Sequence, residues 1–190
     1  WTIIADGATQ RNFRLPKLTG RPPKHLVNAA FFNFKLYATF AFGYGFTPFL
    51  VHDSLPRGSD LVWTAVWKTL CAMSDHYGYT AQELFICLHN TTGENKNLEM
   101  ILFCSWLVRS GKFRRVRVFF LVVGHTHVII DQIFGVVTTG LKGKQVLLPQ
   151  DMERLIDNTL AMNPQYQPKP VEWLHNLFDW KEVIRRAYGD

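Results

Sequence analysis

The chain has 190 residues, 47% of them hydrophobic and 14% aromatic, enough to bury the core of one domain and too apolar for a disordered chain. No stretch reaches the roughly 18 uninterrupted apolar residues that a membrane-crossing helix needs, since the nearest candidate, Ala29 to Val51, contains Asn33, Lys35 and several glycines. The net charge of +6 is uneven, with 16 Lys/Arg against 8 Asp/Glu through residue 150 and 5 against 7 beyond it, which assigns any polyanion-facing surface to the larger part.

In chain order, Thr2 to Ala5 is a short apolar run closing on Asp6-Gly7, a strand ending in a turn. Leu26 to Lys35 and Leu36 to Phe42 are rich in Phe, Val and Tyr and read as strands; Gly43-Tyr44-Gly45 turns the chain into a further strand, Phe46 to Val51. The period then changes. Leu61, Val62, Ala65, Val66, Thr69, Leu70 and Met73 make a helical stripe within Ser59 to Tyr77, with Ser59 or Asp60 as N-cap. Leu84 to Leu88 is a short strand, Asn95 to Arg109 a second helix, Val116 to Val123 a continuous apolar strand expected to be covered on both faces, and Thr126 to Leu141 a third helix. Leu148 to Asp151 leads into an amphipathic helix over Met152 to Met162. Pro168-Lys169-Pro170 is a stiff connector to an aromatic terminal segment with Trp173, Leu174, Leu177, Phe178 and Trp180, which either packs back on the domain or docks into another protein.

Strands followed by alternating helices and strands describe an α/β fold, a mixed sheet of about five strands flanked by helices. The expected division is a main domain over 1–147 and a helical or extended tail over 148–190. Cys71, Cys87 and Cys104 lie in apolar segments without metal-type spacing and read as reduced core thiols, pointing to a reducing intracellular compartment, nucleus or organelle. A start at Trp1 rather than Met suggests a processed product or part of a longer chain. Basic residues cluster at Arg11, Arg14, Lys17, Arg21 and Lys24, and again at Arg109, Lys112, Arg114, Arg115 and Arg117. Either cluster is a solvated basic face or a phosphate-binding one.

Three blocks carry a resemblance to a known family: IIADGATQRNFRLPK from Ile3, FICLHNTTGENKN from Phe85, and GHTHVIIDQIFG from Gly124. They resemble the transposon-derived, DDE transposase-like members of the RNase H-like fold, an uncharacterised eukaryotic family. Its pattern runs Asp, then Asp-Asn, Asn-Lys-Asn, Gly-His-Thr-His and Asp-Gln. The resemblance spans Ile3 to about Leu141, and the third block is its most specific part. It implies an RNase H-like sheet on which carboxylates hold two divalent ions for phosphodiester chemistry. It also implies catalytic positions at Asp6, His89 and Asp131. Magnesium prefers oxygen ligands, and His89 stands where the family has an aspartate, so the resemblance implies a degenerate site.

Each of these residues has a plainer reading as well. Asp6 before Gly7 also suits an Asx-type turn. His125, His127 and Asp131 have a spacing that suits zinc or manganese, and equally a helix cap or the orientation of a catalytic aspartate. Asn90, Asn95, Lys96 and Asn97 suit turn formation and helix capping, with Lys96 placed to meet a phosphate. NTTGENKN lacks the Gly-Lys-Ser/Thr ending of a phosphate-binding P-loop.

The sequence therefore points to a domesticated, catalytically inactive nuclease-like domain that binds nucleic acid through Lys96, Arg114, Arg115 and Arg117, or acts structurally, without a tightly bound cofactor. The alternatives are an active magnesium-dependent nuclease using Asp6 and Asp131 with Glu94 or water as substitute ligand, and an interaction subunit of a protein or ribonucleoprotein assembly. DNA and RNA are equally open as partners.

Overall fold

The computed structural model describes residues 1–8, 13–20, 24, 31–56, 58–90, 95–121 and 129–188. These form strands β1 (Thr2–Gly7), β2 (Arg14–Leu15), β3 (Phe32–Ala41) and β4 (Gly45–His52), helix α1 (Ser59–Tyr77), strand β5 (Glu83–Leu88), helix α2 (Leu98–Arg109) and strand β6 (Arg115–Phe120). Helices α3 (Ile129–Leu141) and α4 (Pro149–Ala161), strand β7 (Glu172–Leu174) and helix α5 (Trp180–Tyr188) complete the chain.

The strands make one mixed sheet in the order β6-β5-β1-β3-β4-β7, with β2 paired to the start of β3. β1, β3 and β4 form an antiparallel meander, while β5 runs parallel to β1 and β6 parallel to β5. This is the α/β architecture expected from the order of periods. Among the described residues the sheet has seven strands rather than five. The additions are β2, only two residues long, and β7, which pairs parallel with β4 through Leu50 and Trp173.

Alternation along the strands sends side chains into two separate cores. On one face, Ile3, Ala5, Phe49, Leu84, Ile86 and Leu88 pack under α1, α2 and α5, around Trp63 and Phe103, whose rings stack at 4.7 Å. On the other, Ile4, Leu36, Phe40, Phe46 and Leu50 pack under α3 and α4, against Ile133, Phe134, Val137 and Ile156. The cysteines are unpaired and partly buried. Burial raises the thiols of Cys71 and Cys87 and pushes that of Cys104 up to about 12, which keeps all three protonated and inert near neutral pH.

Several boundaries differ from the sequence expectation for identifiable reasons. β3 runs unbroken through Lys35, because the ammonium of this buried lysine donates to the Leu55 carbonyl at 2.6 Å and pairs with Asp53 at 3.4 Å. Neither Ser59 nor Asp60 caps α1; Gly58 occupies the N-cap. Both side chains are used in tertiary bonds, Ser59 Oγ accepting from Asn97 Nδ2 at 2.6 Å and Asp60 Oδ1 from the Trp180 N–H at 3.2 Å. β6 is not covered on both faces: it is the outermost strand, and alternate side chains along it are exposed. Residues 25–30 and 122–128, where parts of a strand and a helix start were expected, lie outside the described residues.

The terminal segment packs back on the domain. Val171 N–H donates to Asp157 Oδ1 at 2.8 Å, Trp173 Nε1 to Glu153 at 2.6 Å, and Lys68 of α1 pairs with Glu172. The connector before β7 also fixes the β3–β4 turn. Gly45 has φ of 120°, and a Cβ there would fall 2.0 Å from the carbonyl oxygen of Gln167. Gly45→Ala is therefore expected to destabilise by about 1–3 kcal/mol through strain and displacement of the connector. Urea unfolding checks this, with an unchanged midpoint as the contrary result.

Candidate functional site

Asp6 and His89 occupy equivalent ends of neighbouring parallel strands. The register pairs Ala5 with Leu88, so the next residues along, Asp6 and His89, stand side by side where β5 ends and β1 continues along β3. Asp6 is still within β1 and accepts the Gly7 N–H at 2.8 Å, so it does not end the strand in a turn. By alternation it shares the face of Ile4, the face covered by α3. Asp131 lies half-buried in the first turn of α3, the helix that packs on β1 and β3. His125, His127 and Glu94 lie outside the described residues.

The loop after β5 is organised by its asparagines. Asn95, 2% exposed, donates from Nδ2 to the His89 carbonyl at 2.7 Å and holds the end of the strand. Asn97 caps α2, its Oδ1 accepting the Met100 N–H at 3.0 Å. Between them the exposed Lys96 lays its ammonium 4.8 Å from the centre of the Phe120 ring, at the end of β6. A cation thus stands at the same end of the sheet as Asp6 and His89.

The sequence resemblance implies a magnesium centre built on these residues. Two magnesium ions need oxygen ligands and at least one bridging carboxylate. A neutral imidazole at position 89 offers one nitrogen and no negative charge. Among the described residues, no three His, Cys, Asp or Glu side chains are grouped so as to hold a metal ion. These residues do not fit a two-magnesium centre.

The second basic cluster divides between the two faces. Arg109 lies over the Tyr188 ring and Lys112 over Trp67, both on the side of α1, α2 and α5. Arg115 and Arg117 point the other way from β6 and share Glu83, at 3.4 and 3.9 Å. Arg114 is exposed where the chain enters β6. Of the first cluster, Arg14 lies over the Phe31 ring on β2, whereas Arg11 and Arg21 are outside the described residues.

A cavity of about 290 Å³, lined by Trp1, Trp67, Cys71, Asp75 and Lys112 among others, lies at the opposite end of the sheet from Asp6. Among the described residues no helix is long and apolar enough to cross a membrane.

A family model described as a domain of unknown function (DUF7869) matches residues 25–189. The chain belongs to the DUF7869 family. No curated protein and no solved structure matches the chain. The DUF7869 match takes in His89, Lys96, Asp131, the basic cluster around β6 and the whole terminal segment, and begins after β1 and Asp6. Sequence reading missed the exposed aromatic side chains Phe42 and Phe119 and the partly exposed Phe85 between them. The available signal was the alternation in RVRVFF, which places Arg115, Arg117 and Phe119 on one face.

Proposed function

We propose that this DUF7869 domain is an RNase H-like, transposon-derived module with a degenerate two-metal end, which serves by binding nucleic acid rather than cutting it. The observation that carries the reading is that Asp6 and His89 follow the paired residues Ala5 and Leu88 at adjacent parallel strand ends, with Asp6 on the face that α3, the helix of Asp131, covers. The antiparallel meander followed by parallel strands supports the same reading. With an imidazole in place of the middle carboxylate, the cradle lacks the charge to hold two magnesium ions. Basic side chains remain on the sheet, Lys96 at the same end, Arg117 and Arg115 along the outer strand toward its far end, and Arg114 where the chain enters that strand.

Phosphate contacts by these arginines carry little sequence information and make affinity strongly salt-dependent. The Arg114→Ala, Arg115→Ala, Arg117→Ala triple variant is expected to weaken binding to DNA or RNA uniformly across sequences. It should flatten the slope of log affinity against log salt by about 2–3, if each arginine neutralises about one phosphate. Stability should change by less than about 1 kcal/mol, because the pairs with Glu83 are half-exposed. Fluorescence anisotropy at several salt concentrations measures both effects. Undetectable binding at low salt, or identical behaviour of the triple variant, would reject the nucleic-acid reading.

A further inference from the structure

On the face of the sheet that carries Asp6, α3 and α4 cover the central strands, and among the described residues no helix packs over β5 and β6 on that face. Register places Phe42, Thr2, Phe85 and Arg117 in one row across four strands, since Phe42 N–H bonds to Thr2 O at 3.0 Å, Thr2 pairs with Phe85, and Phe85 with Arg117. The next row along the same face contains Cys87 and Phe119. Their neighbours Val116, Val118 and Phe120 turn to the opposite face and pack against the core. Phe42 and Phe119 are 54% and 51% exposed, so aromatic surface stands in water beside charged side chains.

The rings of Phe85 and Phe119 are nearly parallel, 6.2 Å apart with 15° between their planes. The Arg117 guanidinium lies 5.3 Å from the centre of Phe85 and adds a second planar group. Arg115 and Arg117 share the single carboxylate of Glu83 and stay about half exposed, so this aromatic surface is bordered by net positive charge. A second copy of the chain would bring like charges together here. A duplex has no free base faces to offer, whereas an unpaired strand can lay successive bases on aromatic rings while its phosphates meet arginine.

We infer that the Phe85, Phe119 and Arg117 surface of β5 and β6 is a stacking platform for single-stranded nucleic acid. The inference rests on the nucleic-acid reading above and names its substrate class. Two residues along a parallel strand advance about 6.6 Å, so a strand lying from Phe85 toward Phe119 is led to the end of the sheet where Lys96, His89 and Asp6 stand.

The test uses the whole chain and labelled oligothymidylate and oligouridylate of about ten nucleotides, within the usual footprint of single-strand binders, beside a duplex of the same length. Single strands are expected to bind more tightly than the duplex. Phe119→Ala should weaken single-strand binding by roughly 5- to 100-fold, leave duplex affinity within about twofold and melt like the wild type, because the residue is half-exposed. Phe119→Trp should restore single-strand binding, since the larger ring stacks equally well. If Phe119→Ala leaves single-strand affinity unchanged while the triple arginine variant lowers it, the platform is rejected and the nucleic-acid reading stands. Failure of both probes to bind at low salt rejects both. Self-association of the wild type, abolished by Phe119→Ala in sedimentation, would assign the face to a second copy and overturn the proposal.

Discussion

Trp180→Ala is expected to cost about 3–5 kcal/mol, the usual range for truncating a buried tryptophan. Trp180 is 2% exposed although it opens the last helix of the chain. Its ring meets Phe103 edge-on at 4.7 Å and lies 5.6 Å from Trp106 and 6.1 Å from Trp67. It therefore joins α5 to both α1 and α2. Truncation removes this aromatic contact and leaves a cavity that helices anchored elsewhere cannot close. Trp180→Phe should cost clearly less, retaining most of the ring area while losing the Nε1 hydrogen bond to Thr64 Oγ1 at 3.3 Å. Urea unfolding of both variants measures the difference. A loss below about 1 kcal/mol for Trp180→Ala would show that the terminal segment contributes little to the fold and is available to another protein.

The order and type of most elements were legible because apolar periodicity reports burial directly. Ile3, Ile4 and Ala5 alternate between the two cores, and the stripe from Leu61 to Met73 faces the sheet. Features that depend on partners distant in sequence were not legible. Pairing of β7 with β4 joins Leu50 to Trp173, and nothing local to Glu172–Leu174 marks so short a strand. The N-cap of α1 failed for a similar reason, since Ser59 and Asp60 have cap chemistry but bond to Asn97 and Trp180.

At the candidate site, Asp6 and His89 were singled out by the family resemblance, and the parallel register of β1 and β5 then sets them at one end of the sheet, because parallel neighbours place equivalent positions together. The aromatic platform was hidden by hydropathy. Phe119 and Phe120 look alike in sequence and face opposite sides of β6, one 51% exposed and the other packed on the core.

The second large effect is expected at His89. Replacing the imidazole by a carboxylate, in His89→Asp, sets a second acid beside Asp6 at the ends of the neighbouring strands β1 and β5. Like charges gathered there repel one another and are relieved by a divalent ion. Magnesium at about a hundred times its dissociation constant should then stabilise the variant by about 2.7 kcal/mol, because a ligand that binds only the folded state adds its binding free energy to folding. Cleavage need not return with metal binding, since catalysis also requires substrate placed in line with both ions.

Magnesium titration by calorimetry of the wild type, His89→Asp and Asp6→Asn tests the central claim most directly. The account predicts negligible heat for the wild type and for Asp6→Asn, and saturable binding for His89→Asp. Tight binding to the wild type that Asp6→Asn abolishes would contradict it and establish a working metal centre in place of a degenerate one.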